Sequence, residues 1–301
     1  MTSDPYIFDF HTHTHLSDGD PEQSPQALCK RAAQSGIKYL SITEHDRILP
    51  LALLRALFDE FRVNMVPGCE FSSIWVDDSA GEVPVHVNAP WLPSSDPTLL
   101  QIAQHNASQP YMARLQEMVY QCRKLGIGPV RESVDDTCRR IAAFFPHTDH
   151  LAKRAMAYFY EAHGYVDDRQ VVYNMLAKGG PAYVDPLKFL RFVPFEELVE
   201  AIARVCLPCL NHLFYSHLTK SGNQTLLKTF KKLGGQVLEA VYTPYDMAQQ
   251  AEIFGCCLEY GFLVSCGSDT HSPSRALMQG PGRYYLLMEQ RQLELHGTLN
   301  L

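Results

Sequence analysis

Histidine, aspartate and glutamate residues recur where short apolar segments of this 301-residue chain end. Imidazole and carboxylate groups in combination suit zinc, iron or manganese, whereas sites built only from oxygen atoms suit magnesium or calcium. One ion needs about four ligands, so the residues present are enough for two or three divalent ions. The residues that form this predicted metal site are His11, His13, Asp18, His45, Glu70, His86, His212, Asp269 and His271.

Two of these motifs have the spacing of ligands on a strand. Side chains alternate between the faces of a strand, so both imidazoles of the His-Thr-His motif at His11 point the same way. The Asp-Thr-His motif at Asp269 repeats the arrangement. A single His-x-His motif is weak support for a metal, because histidine often makes only hydrogen bonds. The recurrence of possible ligands after nearly every apolar segment favours a shared metal site.

Patterns typical of strands and helices alternate over the first 90 residues and again after residue 195. Such alternation indicates βαβ units with parallel strands. The predicted strands span residues 6–10, 38–42, 64–66, 83–87, 207–211, 237–242 and 262–266. The predicted helices of these units span residues 26–34, 51–61, 195–206, 226–233 and 246–260.

The middle of the chain is different, because residues 96–181 are mostly helical in pattern, with residues 100–125 as the longest candidate helix. We therefore expect an α/β barrel made of residues 1–95 and 182–301, with residues 96–181 inserted as a helical subdomain. In a parallel barrel the carboxyl ends of the strands meet on one face, where active sites form. The nine predicted ligands would then meet in one opening.

The composition is typical of a folded, soluble protein, with 46% hydrophobic and 20% charged residues. The formal net charge is -7 and no long basic run is present, which disfavours extended binding to duplex nucleic acid. No apolar run is long enough to span a bilayer, so we expect no membrane association. The first residues lack the pattern of a signal peptide, and the nine cysteines form no regular framework. We therefore expect reduced thiols and a cytoplasmic protein.

Five sequence features occur in the order of the motifs of a known family. They are HTHTHLSDG at residues 11–19, ITEHD at 42–46, PGCEFS at 67–72, the isolated His86 and GSDTH at 267–271. Together they resemble the successive motifs of the PHP (polymerase and histidinol phosphatase) family. The stand-alone phosphoesterases of that family, including those acting on 3′,5′-nucleotides and RNA 5′ ends, are the nearest likeness. The resemblance covers residues 6–273 and weakens in the helical insertion.

The resemblance implies a distorted, TIM-like (β/α)₇ barrel that hydrolyses a phosphomonoester with a hydroxide bridging ions of a trinuclear centre. The implied cofactors are two or three divalent ions of manganese, zinc or iron. The implied catalytic residues are Glu70, Asp269 and His212, and Glu70 would bridge two ions. The implied ligand sets are His11, His13, Glu70 and Asp269 for one ion; Glu70, His86 and His212 for a second; and Asp18, His45 and His271 for a third.

The implied substrate contacts are His150, Arg154 and Lys178, although a solvated helix face is the alternative explanation for such residues. The family tends to have Pro-Gly-Arg after the position of His212, whereas this chain has Leu-Phe-Tyr at residues 213–215. That difference predicts a more apolar pocket or a surface on which a ring stacks. The extra histidine, His15, is expected at the rim and not among the ligands.

The leading hypothesis is therefore a metal-dependent phosphoesterase whose partner is a small phosphate ester of nucleotide type. A histidinol-phosphate phosphatase is an alternative enzyme. A 5′-to-3′ exonuclease on short RNA is another, and it would need a basic trough that the net charge does not indicate. A catalytically silent PHP domain is the alternative outside enzymes, and it predicts missing ligands, whereas all nine are present.

Overall fold

The structure, a computed structural model, describes residues 5–148 and 150–299. The strands are β1 (Phe8–Thr12), β2 (Tyr39–Ile42), β3 (Asn64–Met65), β4 (Glu70–Asp77), β5 (Gly81–Asn88), β6 (Val193–Pro194), β7 (Cys209–Leu210), β8 (Val237–Tyr242) and β9 (Leu263–Gly267). The helices are α1 (Pro25–Gln34), α2 (Leu51–Phe61), α3 (Pro97–Ala107), α4 (Tyr111–Lys124), α5 (Val134–Phe144), α6 (Lys153–Ala162), α7 (Arg169–Leu176), α8 (Phe195–Ala203), α9 (Lys220–Lys232), α10 (Met247–Tyr260) and α11 (Gly282–His296).

The strands form two sheets that meet at two seams. One sheet has the order β1-β2-β3 and the other the order β6-β4-β5-β7-β8-β9. At the first seam the backbone N–H of Asp269 donates to the carbonyl of His11, with 2.7 Å between nitrogen and oxygen. At the second seam the N–H of Asp46 donates to the carbonyl of Glu70 at 2.8 Å. The α/β barrel predicted from the sequence is confirmed, as two sheets joined by these bridges.

A hairpin interrupts the parallel order, which corrects the prediction that all strands are parallel. β5 is antiparallel to both β4 and β7, and Ser72 pairs with His86 across the hairpin. The Asp77 carboxylate accepts the N–H groups of Ser79 and Ala80 in the turn, and Gly81 follows with φ of +72°. Strand β4 was not predicted, because serines interrupt its apolar pattern.

The long helix predicted over residues 100–125 is two helices, α3 and α4. Ser108 ends α3, and Pro110 precedes α4, since proline has no N–H to continue the helix. The other predicted helices are present with ends shifted by a few residues, and residues 51–61 and strand 237–242 agree with the prediction. Helix α11 was not predicted.

The described residues form four clusters of buried hydrophobic side chains, three of them in the barrel and one among the inserted helices. Leu99 and Ile102 of α3 are buried in the barrel core together with Leu198 and Ile202 of α8. A separate cluster gathers buried side chains between residues 115 and 184, on helices α4 to α7 and the segment that follows. The helices that share this separate cluster begin at α4, whereas α3 packs in the barrel core. The predicted boundaries of the insertion, residues 96 and 181, stay a prediction. Within the described residues, no helix is both long and apolar enough to cross a membrane.

Candidate metal centre

The structure brings the side chains of all nine predicted ligands into one network at the opening of the barrel. His11 lies in β1 and His13 just after it, and both are buried. Glu70 is the first residue of β4, a strand that was not predicted, and His86 lies within β5, as the predicted strand over residues 83–87 had it. The remaining ligands lie in the loops that follow β1, β2, β7 and β9, namely Asp18, His45, His212, Asp269 and His271.

One oxygen of Glu70 is surrounded by imidazoles. Its Oε2 lies 3.2 Å from Nε2 of His11, 3.2 Å from Nε2 of His13 and 3.2 Å from Nδ1 of His45. Among the described residues this buried oxygen has no hydrogen-bond partner, although three nitrogens are so near. Lone pairs that converge without hydrogen bonds are the arrangement in which a cation fits.

The other oxygen of Glu70 faces a second group. Oε1 lies 3.2 Å from Nδ1 of His86 and 3.1 Å from Nε2 of His212, and it accepts from Nδ2 of Asn211 at 2.8 Å. The two oxygens of one carboxylate thus face two different sets of imidazoles. That geometry is suited to a carboxylate shared by two ions.

Asp18 is the centre of a third group. Its Oδ1 lies 2.9 Å from Nε2 of His271 and 3.7 Å from Nε2 of His45, and its Oδ2 accepts from Nε of Arg154 at 3.2 Å. Asp269 lies between this group and the first, since its Oδ1 is 3.3 Å from Nε2 of His13 and 3.3 Å from Nδ1 of His271. Its Oδ2 accepts from the hydroxyl of Tyr242 at 2.6 Å.

Three sets of ligand atoms each lie within 4.8 Å of one another, and they differ from the implied sets in four respects. Asp269 and His212 belong to none of the three. His13 also belongs to the set around Asp18, and His45 also belongs to a set with Glu70 and His86. The described residues therefore fit divalent cations in donor type, number and closeness. A histidine-rich set with three carboxylates suits manganese, zinc or iron better than calcium.

The charges of these groups depend on one another. Burial alone would raise the pKa of Glu70, but the imidazoles of His11, His45 and His86 hold it well below its usual range. Burial likewise opposes the charged form of His13, yet the carboxylates of Asp269 and Glu70 raise its pKa to about 9. The metal-free cluster thus favours carboxylates paired with an imidazolium, a role that a bound cation would take over.

The prediction missed a buried carboxylate in the middle of β8. Oε1 of Glu239 is 2.7 Å from Nδ1 of His11, and Oε2 accepts the backbone N–H of His212 at 3.0 Å. An acidic residue inside the apolar strand VLEAVY was the signal that could have found it. Asn211 and Tyr242 were missed as well, and they have no comparable signal in the sequence.

Three residues of the site have backbone angles that favour glycine. Asp46 has φ of 50°, His212 of 24° and Asp269 of 48°. Such angles are uncommon for residues with a side chain and persist only where surrounding contacts hold them. Here they re-aim the chain as it leaves β2, β7 and β9.

A cavity of about 340 Å³ opens onto the ligands. One wall is basic and belongs to the helical insertion, with Arg114, Lys153 and Arg154, together with His150, whose ring stacks on Tyr111 at 4.4 Å. The opposite wall comes from the barrel and is largely apolar. It contains Pro84, Val85, Leu190, Phe192, Leu213 and Tyr215.

Of the three substrate contacts implied by the resemblance, two line the cavity and one does not. His150 and Arg154 line the cavity, whereas Lys178 is exposed after α7 and is not among the described residues that line it. The turn at Gly179, with φ of +84°, follows Lys178 directly, and residues 178–180 lead back across the end of α7. Arg114 lies in the basic wall instead, and the prediction missed it because nothing marks it within α4.

The extra histidine lies apart from the ligand network. His15 stacks on His147 with ring centres 4.5 Å apart, and its Nδ1 lies 3.2 Å from the carbonyl of Pro21. Its ring is therefore held by the loop contacts at the rim of the opening.

Comparison with known proteins shows a similarity over the part of the chain that contains most of the predicted ligands. Residues 9–131 match the profile of the family described as PHP domain, and this segment includes six of the nine ligands, from His11 to His86. Residues 9–131 are therefore similar to a PHP domain.

Two curated proteins are similar to this chain. The 5′-3′ exoribonuclease Rnm of Escherichia coli strain K12 is 23% identical over 271 residues, covering 89% of this chain and 86% of that protein. The Salmonella typhimurium protein of the same name is 35% identical over 71 residues, covering 23% of this chain and 24% of that protein.

Two solved structures have a similar fold along nearly the whole chain. An amidohydrolase from Chromobacterium violaceum, with bound sulfate and no metal, has a TM-score of 0.77 and 21% identity, covering 95% of this chain and 96% of that one. A protein from Bifidobacterium adolescentis assigned as a metal-dependent phosphoesterase has a TM-score of 0.77 and 18% identity, covering 97% and 99%. The similarity of fold therefore extends beyond the residues that match the family profile.

Proposed function

We propose that this protein is a metal-dependent phosphoesterase that hydrolyses a small phosphomonoester of nucleotide type. The observation that carries the proposal is Glu70, whose two oxygens face separate sets of imidazoles at 3.1–3.2 Å. The PHP domain and the phosphoesterase among the similar folds support the same activity. We assign all nine ligands to a centre of two or three ions of manganese, zinc or iron, with Glu70 as the bridge.

Such a centre would overcome two obstacles to the hydrolysis of a phosphomonoester. A phosphomonoester dianion repels an incoming nucleophile, and water at neutral pH is a weak one. Bound divalent ions lower the pKa of water and neutralise phosphate oxygens. Positioning and electrostatic stabilisation carry most of phosphoryl transfer, so the reaction requires no protein nucleophile.

The basic wall of the cavity supplies the contacts for the phosphate. Arg154 already pairs with Asp18, whereas Arg114 and Lys153 have no ion pair within the described residues. The Nε atom of Arg114 is buried and has no hydrogen-bond partner there. A guanidinium that lines a cavity and has no ion pair is suited to a phosphate oxygen. We assign Arg114, Lys153 and His150 to binding of the phosphate.

The apolar wall suits the leaving group. Tyr215 is 55% exposed in the short helix that follows His212, and it meets the rings of His212 and Tyr242 at angles of 69° and 82°. Neither neighbour stacks parallel to it, so its ring is available to a planar group of the substrate. A cavity of about 340 Å³ suits a single nucleotide unit.

A second candidate is the removal of nucleotides from the 5′ end of short RNA. The Escherichia coli relative is named for such an activity. A further cavity of about 350 Å³ adjoins the first and shares His45, Tyr111 and His150 with it. Two adjacent cavities would hold two nucleotide units of a longer substrate.

Metal analysis coupled to a phosphate-release screen tests the proposal. The purified protein, loaded with manganese or zinc, is offered mononucleotides, 3′,5′-nucleotides, sugar phosphates, histidinol phosphate and 5′-phosphorylated short RNA. Phosphate release from nucleotides is the expected result. Release from histidinol phosphate alone would show that the nucleotide preference is wrong, and stepwise shortening of RNA would favour the second candidate. No release with two or three ions bound would contradict the phosphoesterase and favour a silent PHP domain.

A further inference from the structure

We propose that Glu239 is a positioning residue that orients one ligand in each of two adjacent metal positions and so couples their affinities. The inference rests on the proposed metal centre and concerns how this chain builds it. Glu239 lies in the middle of β8 and is 1% exposed. A buried carboxylate is costly unless its oxygens are bonded, so its two contacts decide what it does.

The first contact determines which ring nitrogen of His11 carries the proton. Oε1 of Glu239 lies 2.7 Å from Nδ1 of His11, and a carboxylate at that distance accepts a proton from the ring. The proton therefore stays on Nδ1, and the lone pair is on Nε2. That Nε2 is the atom that lies 3.2 Å from Oε2 of Glu70. A carboxylate behind a ligating imidazole fixes both its tautomer and its orientation.

The second contact holds the backbone of His212. Oε2 of Glu239 accepts the N–H of His212 at 3.0 Å, at a residue whose φ of 24° is unfavourable for a side chain. This backbone places Nε2 of His212 at 3.1 Å from Oε1 of Glu70. One carboxylate of β8 thus supports ligands on both sides of the proposed bridge.

The neighbouring strand leaves room for this arrangement. A Cβ atom at Gly267 of β9 would overlap the Glu239 carboxylate and the Cβ of His11. Glycine is therefore required where β9 passes the carboxylate. Within the described residues the hydrogen bonds of Glu239 reach His11 and His212, and none reaches the set around Asp18. Loss of Glu239 should weaken two ion positions and spare the third.

Titration of the metal-free protein with zinc or manganese tests this inference by calorimetry. In Glu239→Leu both acceptors are lost, and we expect two ions to bind about 10–100-fold more weakly while the third keeps its affinity. In Glu239→Gln the amide oxygen still accepts one hydrogen bond, but the NH₂ group faces the second donor and cannot accept from it. The loss of affinity for the two ions should therefore be intermediate. Circular dichroism of both variants checks that the barrel is folded, and the near-isosteric glutamine keeps the test informative if leucine is not tolerated.

Asp9 provides the matched control. It is a buried carboxylate on strand β1, and it accepts backbone N–H groups of His11, Ser268 and Met278 and no ligand side chain. Asp9→Asn should lower the melting temperature and leave the ion affinities within about threefold.

Two results would overturn the inference: wild-type affinities for all ions in folded Glu239→Leu, or equal weakening of every ion in both the Glu239 and Asp9 variants. Failure of the proposed function is a separate observation, because it is read as absence of phosphate release by the wild-type protein. If the wild-type protein binds ions but hydrolyses no ester, the effect of Glu239 on the ion affinities can still be measured.

Discussion

At the scale of single residues, the site is organised around Glu70. Its buried carboxylate meets imidazoles from the ends of three strands, β1, β2 and β7, and from the hairpin, so most of the geometry depends on one side chain. The predicted ligands differ from ordinary buried histidines in that several of their nitrogens converge on Oε2 of Glu70 and Oδ1 of Asp18, which have no hydrogen-bond partner within the described residues.

Glu70→Gln tests the proposed bridge. The substitution keeps the volume but removes the charge, and its NH₂ group would face a cation. We expect loss of at least one ion and a decrease in turnover of about a thousandfold, which corresponds to the several kcal/mol that metal ions contribute to the transition state. Folding should survive, since the barrel core consists of apolar side chains.

His15→Asn is the contrast to that variant, because His15 stacks on His147 at the rim. Its turnover should change by less than about tenfold. Full metal content and near-normal turnover in Glu70→Gln, measured by elemental analysis and phosphate release, would show that the bridging assignment is wrong.

Tyr215→Leu tests the role of the apolar wall. If the ring stacks on a planar part of the substrate, its removal should raise KM for a nucleotide by about 2–10-fold, which corresponds to a typical aromatic pair, and leave kcat within about twofold. Glycerol phosphate, which has no ring, should show no change. Tyr120→Leu is the control, since Tyr120 is a similarly exposed tyrosine of α4 outside the cavity lining. Equal effects on both substrates would contradict stacking.

At the scale of secondary-structure elements, close packing of neighbouring strands decides where side chains fit. Gly267→Ala should destabilise the protein by about 1–3 kcal/mol through overpacking, because the new methyl group would overlap Glu239 and His11. Metal affinity should fall with it. Gly255→Ala is the opposite case, since this exposed position in α10 has open space and the change should stabilise by about 0.5–1 kcal/mol. Denaturant unfolding of both variants measures the two effects.

The elements also explain what could be predicted from the sequence. The barrel strands and most helices have local patterns, and the ligands stand out because polar residues interrupt apolar segments at fixed spacing. The β4–β5 hairpin was missed because Ser72 and Ser73 hide its alternation, so Glu70 was assigned to the end of a preceding strand. Glu239 contacts His11 and His212, which are far away in the chain, and no local pattern reports such contacts. For the same reason the sequence does not show that Arg114 lines the cavity while Lys178 lies outside its lining.

At the scale of the whole molecule, removal of the ions should change stability in a pH-dependent way. In the metal-free protein the raised pKa of His13, about 9, means that protonated His13 stabilises the folded state fully below its unfolded value near 6.5. That stabilisation is lost as the pH rises through 9. The melting temperature after chelation should therefore fall between pH 6.5 and 9.

The metal-loaded protein should behave in the opposite way over the same range, because metals bind deprotonated imidazoles and bind them better at higher pH. The difference in melting temperature between loaded and chelated protein should thus be larger at pH 9 than at pH 6.5. Thermal unfolding followed by fluorescence at both pH values measures it. Identical curves with and without verified metal would contradict a shared site.

The two seams of the barrel have a mechanical consequence. His11 and His13 belong to one sheet and Asp269 to the other, and across the second seam His45 faces Glu70. An ion held by such pairs would cross-link the two sheets, which otherwise share few backbone hydrogen bonds at the seams. Separating the two sheets in a single-molecule pulling experiment should then need more force when the metal ions are bound. Without the ions, the seams should be the first parts of the barrel to open.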